Sequence, residues 1–390
     1  MSRINDLIAE LCPVGVEFVR LGDLLQYEQP GKYLVSSTRY DDSYSTPVLT
    51  AGQTFVLGYT NENDGIYCAS KESPVVIFDD FTTTFKWVDF PFKAKSSAMK
   101  MLQVRSSDRV SLRFVYFIMQ TIKYSPQDHA RQWISTYSKF PVPVPPLEVQ
   151  HEIVRILDKF TELEAELEAE LEARKRQYAY YRDSLLSFPE AGGVRRVPMG
   201  DICIKVSSGA TPLAGKPEYY EGGDIPWLRT QEVVWRDVHE TEMKITAKAL
   251  ADTAVTWIPA NCVIVAISGA SAARTAVNKI PLTTNQHCCN LQIDPAKADY
   301  RYVFHWVTAN YEQLKSLGQG ARSDLNSGII KSFPIAVPSI PEQQRIAGLL
   351  DKFDALVNDL SVGLPAELAT RRKQYEYYRD KLLTFDEAIS

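Results

Sequence analysis

Three short clusters could do chemistry. Asp79-Asp80 is a carboxylate pair that could ligate magnesium, Glu242-x-Lys244 resembles the tail of a nuclease site, and His287-Cys288-Cys289 sets possible metal ligands side by side. Each is short enough to arise by chance. Surface carboxylates explain the first two. Neighbours in a strand point to opposite faces, so Cys288 and Cys289 are expected in a core and not on one metal. The chain has no G-x-x-x-x-G-K-[ST] phosphate loop, no G-x-S-x-G elbow and no D/N-P-P-Y/F loop to hold a flipped adenine. "GQG" at Gly318 is too little for a dinucleotide fingerprint. Its five histidines lie far apart, without metal spacing. Six cysteines without C-x-x-C spacing read as reduced, mostly buried thiols. The expectation is a chain that performs no chemistry itself.

Binding is the other possibility, and the polar segments have the composition for it. In the first half these are "TTTFKW" from Thr82, "PFKAKSSAMK" from Pro91 and "HARQWISTYSK" from His129. In the second they are "SSGATPLAGK" from Ser207, "WLRTQE" from Trp227, "SGASAARTAVNK" from Ser268, "TTNQH" from Thr283 and "GQGARSDLNS" from Gly318. Arg, Lys, Asn and Gln can pair with purine edges, whereas Ser, Thr and the amides of glycine turns suit phosphate oxygens. Any one segment could be a solvated loop; recurrence in both halves favours binding. The net charge of −5 argues against nucleic acid only when taken globally. Residues 1–85 carry 5 basic and 12 acidic side chains, whereas residues 86–146 carry 10 and 3. Such a local surplus can make an electrostatic footprint on an acidic chain.

A scaffold must hold these segments, and it is written twice. "RKRQYAYYRDSLLSF" from Arg174 returns as "RRKQYEYYRDKLLTF" from Arg371, with ten of fifteen positions identical. "VEFVRLGDL" returns as "VRRVPMGDI", "RFVY" as "RYVF", "FPVPVPPL" as "FPIAVPSI", and "LDKF" at Leu157 recurs at Leu350. The order never changes, which indicates tandem duplication of a unit too long for a solenoid repeat. Between the repeated ends lie mixed modules. "PVLTAGQTFVLGYTN", "GIYCAS", "PVVIFDDF" and "AMKMLQV" read as strands, as do "IPWL", "CVIVAIS" and "CCNLQI". "LRFVYFIMQTI" and "YRYVFHWVTANYEQL" read as helices.

A seam of Ile153, Leu157, Phe160, Glu164, Leu167, Leu171, Arg174, Tyr178, Tyr181, Leu185 and Phe188 steps by four and three, the period of a coiled coil. It predicts one helix over about 148–188 that needs a partner helix. The second copy keeps the seam through Ile346, Leu350, Phe353, Val357, Leu360 and Leu364, then gains four residues before Tyr375. That stutter, with Gly363 and Pro365, predicts a break near 362–365 and a restart with Pro365 in the first turn. No run of about 18 apolar residues and no signal-peptide pattern is present, so a cytoplasmic location without membrane contact is expected.

The module closed by "FPVPVPPLEVQHEIVRILDKF" and "RKRQYAYYRDSLLSF", repeated with "FPIAVPSIPEQQRIAGLLDKF" and "RRKQYEYYRDKLLTF", resembles the DNA-specificity subunit of type I restriction-modification systems. "TPVLTAGQTFVLGYTNE" and "VIFDDFTTTFKWVDFPFKAKSSAMK" carry the resemblance into the first module, "GGDIPW" and "EQQRIA" into the second. It implies an α+β chain with two similar mixed α/β target-recognition domains, at 1–146 and 191–340. Two long antiparallel coiled-coil helices, at 147–190 and 341–390, would join them in a pseudo-two-fold circular arrangement. Each domain would read one half of a bipartite, asymmetric double-stranded DNA site. Two methyltransferase subunits and the restriction subunits would dock on the chain. S-adenosylmethionine, ATP and Mg would act through those partners, with no cofactor in this chain. The residues then expected to touch DNA are Thr83, Thr84, Lys86, Lys93, Lys95 and Arg131 in the first domain. In the second they are Thr211, Arg229, Thr230, Arg274, Asn285, Gln286 and Arg322. Two other classes remain to be tested against this: a self-sufficient nuclease or methyltransferase, and a coiled-coil scaffold that does not bind DNA.

Overall fold

The Glu-, Ala- and Leu-rich stretch forms a single helix, Leu147–Leu185, in the computed structural model, which describes residues 2–52, 54–189, 193–318, 324–359 and 361–388. Its 39 residues correspond to about 58 Å at 1.5 Å per residue. The second copy is interrupted, as helices Ile340–Asn358 and Gly363–Leu382. The break falls a few residues before the 362–365 expected. Asp359 caps it locally, its carboxylate accepting from the Ser361 and Val362 amides. Gly363 then takes φ +82°, and a Cβ there would lie 2.6 Å from the Ala355 carbonyl oxygen, so only glycine fits. Pro365 sits in the first turn of the restarted helix. The seam residue Leu360 lies outside the described residues.

The chain divides into two compact units, residues 1–167 with 368–390, and residues 168–367. The division cuts through both long helical segments, so each unit combines one module with the Tyr-rich end that the other copy of the repeat supplies.

In the first unit, strand β1 (Glu17–Arg20) pairs antiparallel with β9 (Pro141–Val144), which joins two of the repeated motifs directly. The main sheet has the order β2 (Leu25–Glu28), β8 (Met99–Val104), β5 (Val75–Asp79), β6 (Phe85–Val88). A smaller sheet has the order β4 (Val56–Thr60), β3 (Thr46–Leu49), β7 (Lys93–Ala94). "GIYCAS" is not a strand; Tyr67 bridges to Phe92, and Tyr67 and Ala69 are its buried apolar side chains. Val76, Phe78 and Leu102 of the main sheet pack with Phe114 and Phe117 of helix Leu112–Met119, and with Ile153 and Leu157 of the long helix.

The second unit repeats this plan. Strand β10 (Arg195–Pro198) pairs antiparallel with β20 (Pro334–Val337). The main sheet has the order β11 (Cys203–Ser208), β19 (Cys288–Ile293), β16 (Val263–Ala266), β17 (Thr275–Asn278), β13 (Asp237–Val238). The smaller sheet has the order β14 (Lys244–Ile245), β12 (Ile225–Leu228), β18 (Leu282–Thr284), β15 (Trp257–Ile258). "YRYVFHWVTANYEQL" forms two helices, Tyr300–Ala309 and Tyr311–Ser316, because Asn310 turns the chain and its side-chain amide donates to the Trp306 carbonyl. Cys288 and Cys289 point into separate cores, as alternation in a strand requires.

Each helical seam finds its partner inside a unit. In the first, Phe160 stacks with Tyr378 at 5.5 Å and lies 6.5 Å from Tyr375. Seam residue Glu164 pairs with Arg372 at 2.6 Å. Positions therefore rise along one helix as they fall along the other, and the pair is antiparallel. In the second unit, Phe353 stacks with Tyr181 at 5.5 Å and lies 6.5 Å from Tyr178. The same aromatic clamp is built twice.

Candidate nucleic-acid interface

The polar segments gather where strands of both sheets end. In the first unit the stretches after β2, β3, β5 and β7 meet. The Val35 amide donates to the Ala94 carbonyl at 2.9 Å, Lys95 to Leu49 at 3.0 Å, and Gln132 to Asp80 at 2.7 Å. In the second unit Ala210 donates to Thr284 at 3.0 Å, Asn285 to Leu228 at 3.0 Å, and Leu325 to Ile267 at 2.8 Å. These three backbone hydrogen bonds correspond one to one, so the loop clusters of the two units stand on the same frame. Gly209 shows how tight it is: a Cβ there would lie 1.8 Å from the Thr284 carbonyl oxygen.

The frame of the first unit is closed by a buried ion pair. Asp80, only 1% exposed, receives Lys100 at 3.1 Å and the Trp133 amide at 2.7 Å. Asp80 is thus no surface carboxylate, contrary to the sequence expectation. It ties the start of helix Gln132–Ser135 to the β5–β6 turn and so carries exposed Arg131 beside Thr82–Thr84. Thr84 is exposed, and its hydroxyl donates to the Ala51 carbonyl at 2.6 Å. Thr83 is buried at φ +58° and shapes the turn. Lys86 is half-exposed on β6, and Lys95 is half-exposed with its ammonium 5.9 Å from the Tyr40 ring.

Lys93 does not join them. It is 2% exposed, ion-paired to Glu62 at 2.8 Å and donating to the Asp64 carbonyl. The Lys93 ammonium, with the Ser37 and Ser36 amides, holds the Glu62 carboxyl below the usual carboxylate range. Sequence composition counts a lysine without knowing which way its strand faces. Part of the basic surplus in residues 86–146 is therefore internal.

In the second unit, Thr211 and Gln286 hydrogen-bond to one another, and the Gln286 amide nitrogen lies 3.1 Å from His287 Nε2. Asn285 is buried and accepts the His287 amide at 3.1 Å. Arg229 opens the neighbouring turn, with Thr230 half-buried after it. Its guanidinium pairs with Glu242 at 2.7 Å, while buried Glu232 receives the Arg229 and Glu242 amides. Glu242 therefore answers a cation. Arg274 lies at the start of β17 with its guanidinium over Trp235. Arg322 lies outside the described residues.

The arrangement offers hydroxyls, amides and cations. Burial pushes the Cys289 thiol up to about 11 and the Cys203 and Cys262 thiols up to about 12. All six cysteines are free thiols. No group of three or more His, Cys, Asp or Glu could hold a metal ion among the described residues. No helix among them is long and apolar enough to cross a membrane. Sequence reading missed Trp235 and the roles of Asp80 and Lys100, whose importance lies in contacts between segments distant along the chain.

A model of the type I restriction modification DNA specificity domain matches residues 13–173 and 193–370. The chain is 46% identical over 401 residues to the specificity subunit of the type I restriction enzyme EcoR124I/EcoR124II of Escherichia coli, covering 99% of this chain and 98% of that one. The fold is similar to the specificity subunit of a type I restriction-modification system from M. genitalium, with TM-score 0.62 and 12% identity over 95% of this chain and 96% of that chain. It is also similar to a chain from a type I restriction-modification system solved for complex assembly and conformational transition, with TM-score 0.54 and 14% identity over 94% of this chain and 99% of that chain. Duplicated modules, paired long helices and a match along nearly the whole sequence agree, and the chain belongs to the family of type I restriction-modification DNA-specificity subunits.

Proposed function

We propose that each loop cluster reads one half of a bipartite, asymmetric double-stranded DNA site, and that the chain itself performs no reaction. The observation that carries this reading is the shared frame of three backbone hydrogen bonds, which presents two different sets of polar side chains. Phosphate contacts from hydroxyls, amides and lysines set register, and a few long polar side chains read base edges. In the first unit Thr84, Lys86, Lys95 and Arg131 face outward for this work, while Thr83 and Lys93 support them from inside. In the second, Thr211, Gln286 and Arg274 face the DNA, and Asn285 braces the turn. Arg229 contributes after exchanging Glu242 for a phosphate or base.

Two methyltransferase subunits dock on the duplicated helical segments and supply the S-adenosylmethionine chemistry. Restriction subunits bring ATP and Mg, and the assembly works in the cytoplasm. The long helices set the unspecified spacer between the half-sites. Electrophoretic binding of the reconstituted methyltransferase tests the reading. Arg131→Ala should weaken binding or relax one half-site, and Arg274→Ala should do the same to the other. Unchanged affinity and an unchanged methylation motif in both would refute it. Deleting Glu166–Ala169 should alter the preferred half-site separation; a parental motif with full activity would end the spacer proposal.

A further inference from the structure

In the second unit one arginine of the loop end is stacked on an indole. The Arg274 guanidinium lies 5.1 Å from the centroid of the Trp235 ring. Among the described residues no carboxylate pairs with it, whereas Arg229 of the same unit is tied to Glu242. The Arg274 Nε, like that of Arg229, is buried without a hydrogen-bond partner. The main chain beneath is pinned, since the Arg274 carbonyl accepts from Ala266 at 2.9 Å and its amide donates to Ser271 at 3.0 Å.

The indole is pinned as well. Trp235 adopts φ +55°, a conformation that is costly for a bulky residue, and its amide donates to the Thr275 carbonyl at 2.8 Å. Tyr311 meets the indole edge-on at 5.3 Å, and Lys315 donates to the Tyr311 hydroxyl at 3.1 Å. Strained backbone, aromatic buttress and unpaired cation converge on one guanidinium at the loop end of the unit.

We infer that Trp235 is a positioning residue that holds Arg274 for a bidentate contact with O6 and N7 of a guanine in one half of the recognised DNA. The inference rests on the DNA-reading function proposed above. Stacking on an aromatic face fixes the plane of a guanidinium while leaving donors at its rim, and the planar fork matches the two guanine acceptors. A phosphate can also take the fork bidentately, but such a contact would not make affinity depend on the N7 of one guanine, which is what separates the two. An unpaired arginine would otherwise sample many rotamers, and the indole removes that freedom before DNA arrives.

The test uses the reconstituted methyltransferase and duplexes carrying the sequence it methylates, with 7-deazaguanine replacing each guanine in turn to delete N7. With the parental complex, one guanine should be sensitive by about tenfold or more in affinity. Arg274→Ala should abolish the sensitivity at that guanine alone. Trp235→Ala should abolish it at the same guanine and add nothing in the Arg274→Ala background, while Trp235→Phe should keep most of it. A fall that is uniform at every position, sensitivity lost at different guanines in the two variants, or a half-site without guanine would overturn the inference. A parental complex with no sequence preference at all would instead overturn the DNA-reading function.

Discussion

The two units agree at the base of each module and differ at the loop end. At the base, Gln150 and Gln343 are both fully buried and make the same bonds. Gln150 accepts from the Ser111 amide and donates to the Arg109 and Pro145 carbonyls. Gln343 accepts from the Asp299 amide and donates to the Lys297 and Pro338 carbonyls. One glutamine in each copy thus ties the start of a long helix to the module's closing strand and to its short helix. Arg113 pairs with Asp158 at 2.7 Å where Arg301 pairs with Asp351. At the loop end the fillings change. The buried pair Asp80–Lys100 stands where the second unit has Ile267 and Cys289, Arg131 stands where it has Asp324, and Lys95 where it has Asn285. A duplicated chain can thus keep one scaffold while presenting two unlike surfaces, which suits reading an asymmetric site.

The comparison breaks most visibly at the buried pair. Asp80→Ala should destabilise the first unit by about 3–5 kcal/mol, because it strands the Lys100 ammonium without a partner. Hydrogen exchange mapped by mass spectrometry should show the loss in residues 1–167 and not in 168–367. Asp80→Leu with Lys100→Met should recover much of it if the first unit tolerates the apolar filling of the second. Continued instability would mean that the Trp133 amide bond matters more than the charge pair.

Gln150→Ala and Gln343→Ala should come next, each costing about 2–3 kcal/mol by leaving buried main-chain groups unpaired. Urea unfolding that showed similar losses in both would support equivalence at the base. A large cost in only one unit would break it.

Acid should separate the units more gently. Burial works against charge on Asp351, but hydrogen bonds from His305 and Arg301 outweigh it and hold its carboxyl at about 2. A carboxyl held lower in the folded state than in the unfolded chain stabilises at neutral pH. That contribution fades as pH falls through about 4 towards 2. Asp351→Asn should therefore flatten the stability of the second unit across that interval, read from its unfolding midpoint at each pH. The half-exposed Glu164–Arg372 pair should matter least, with Arg372→Ala shifting stability by about 1 kcal/mol or less.

The long helix was legible because its seam is local: Ile153, Leu157, Ile346 and Leu350 recur at coiled-coil spacing and are all buried. The strands around Val75–Asp79 and Cys288–Ile293 were legible for the same reason, as runs of β-branched or apolar residues. The loop ends were legible only as composition. Lys93 and Lys100 looked like Lys95, yet the first two turn inward to Glu62 and Asp80. Trp235 gave no signal, since its importance is a distance to Arg274.

The amino-acid pattern by itself determined the duplication, the helical seams and the family, because these depend on residues close together or on order along the chain. Only the tertiary structure decided that residues 368–390 complete the first unit and that three backbone hydrogen bonds recur beneath unlike loops. It also decided which lysines lie inside. Such facts depend on which distant segments share a desolvated contact, and periodicity within a segment carries no record of its partner.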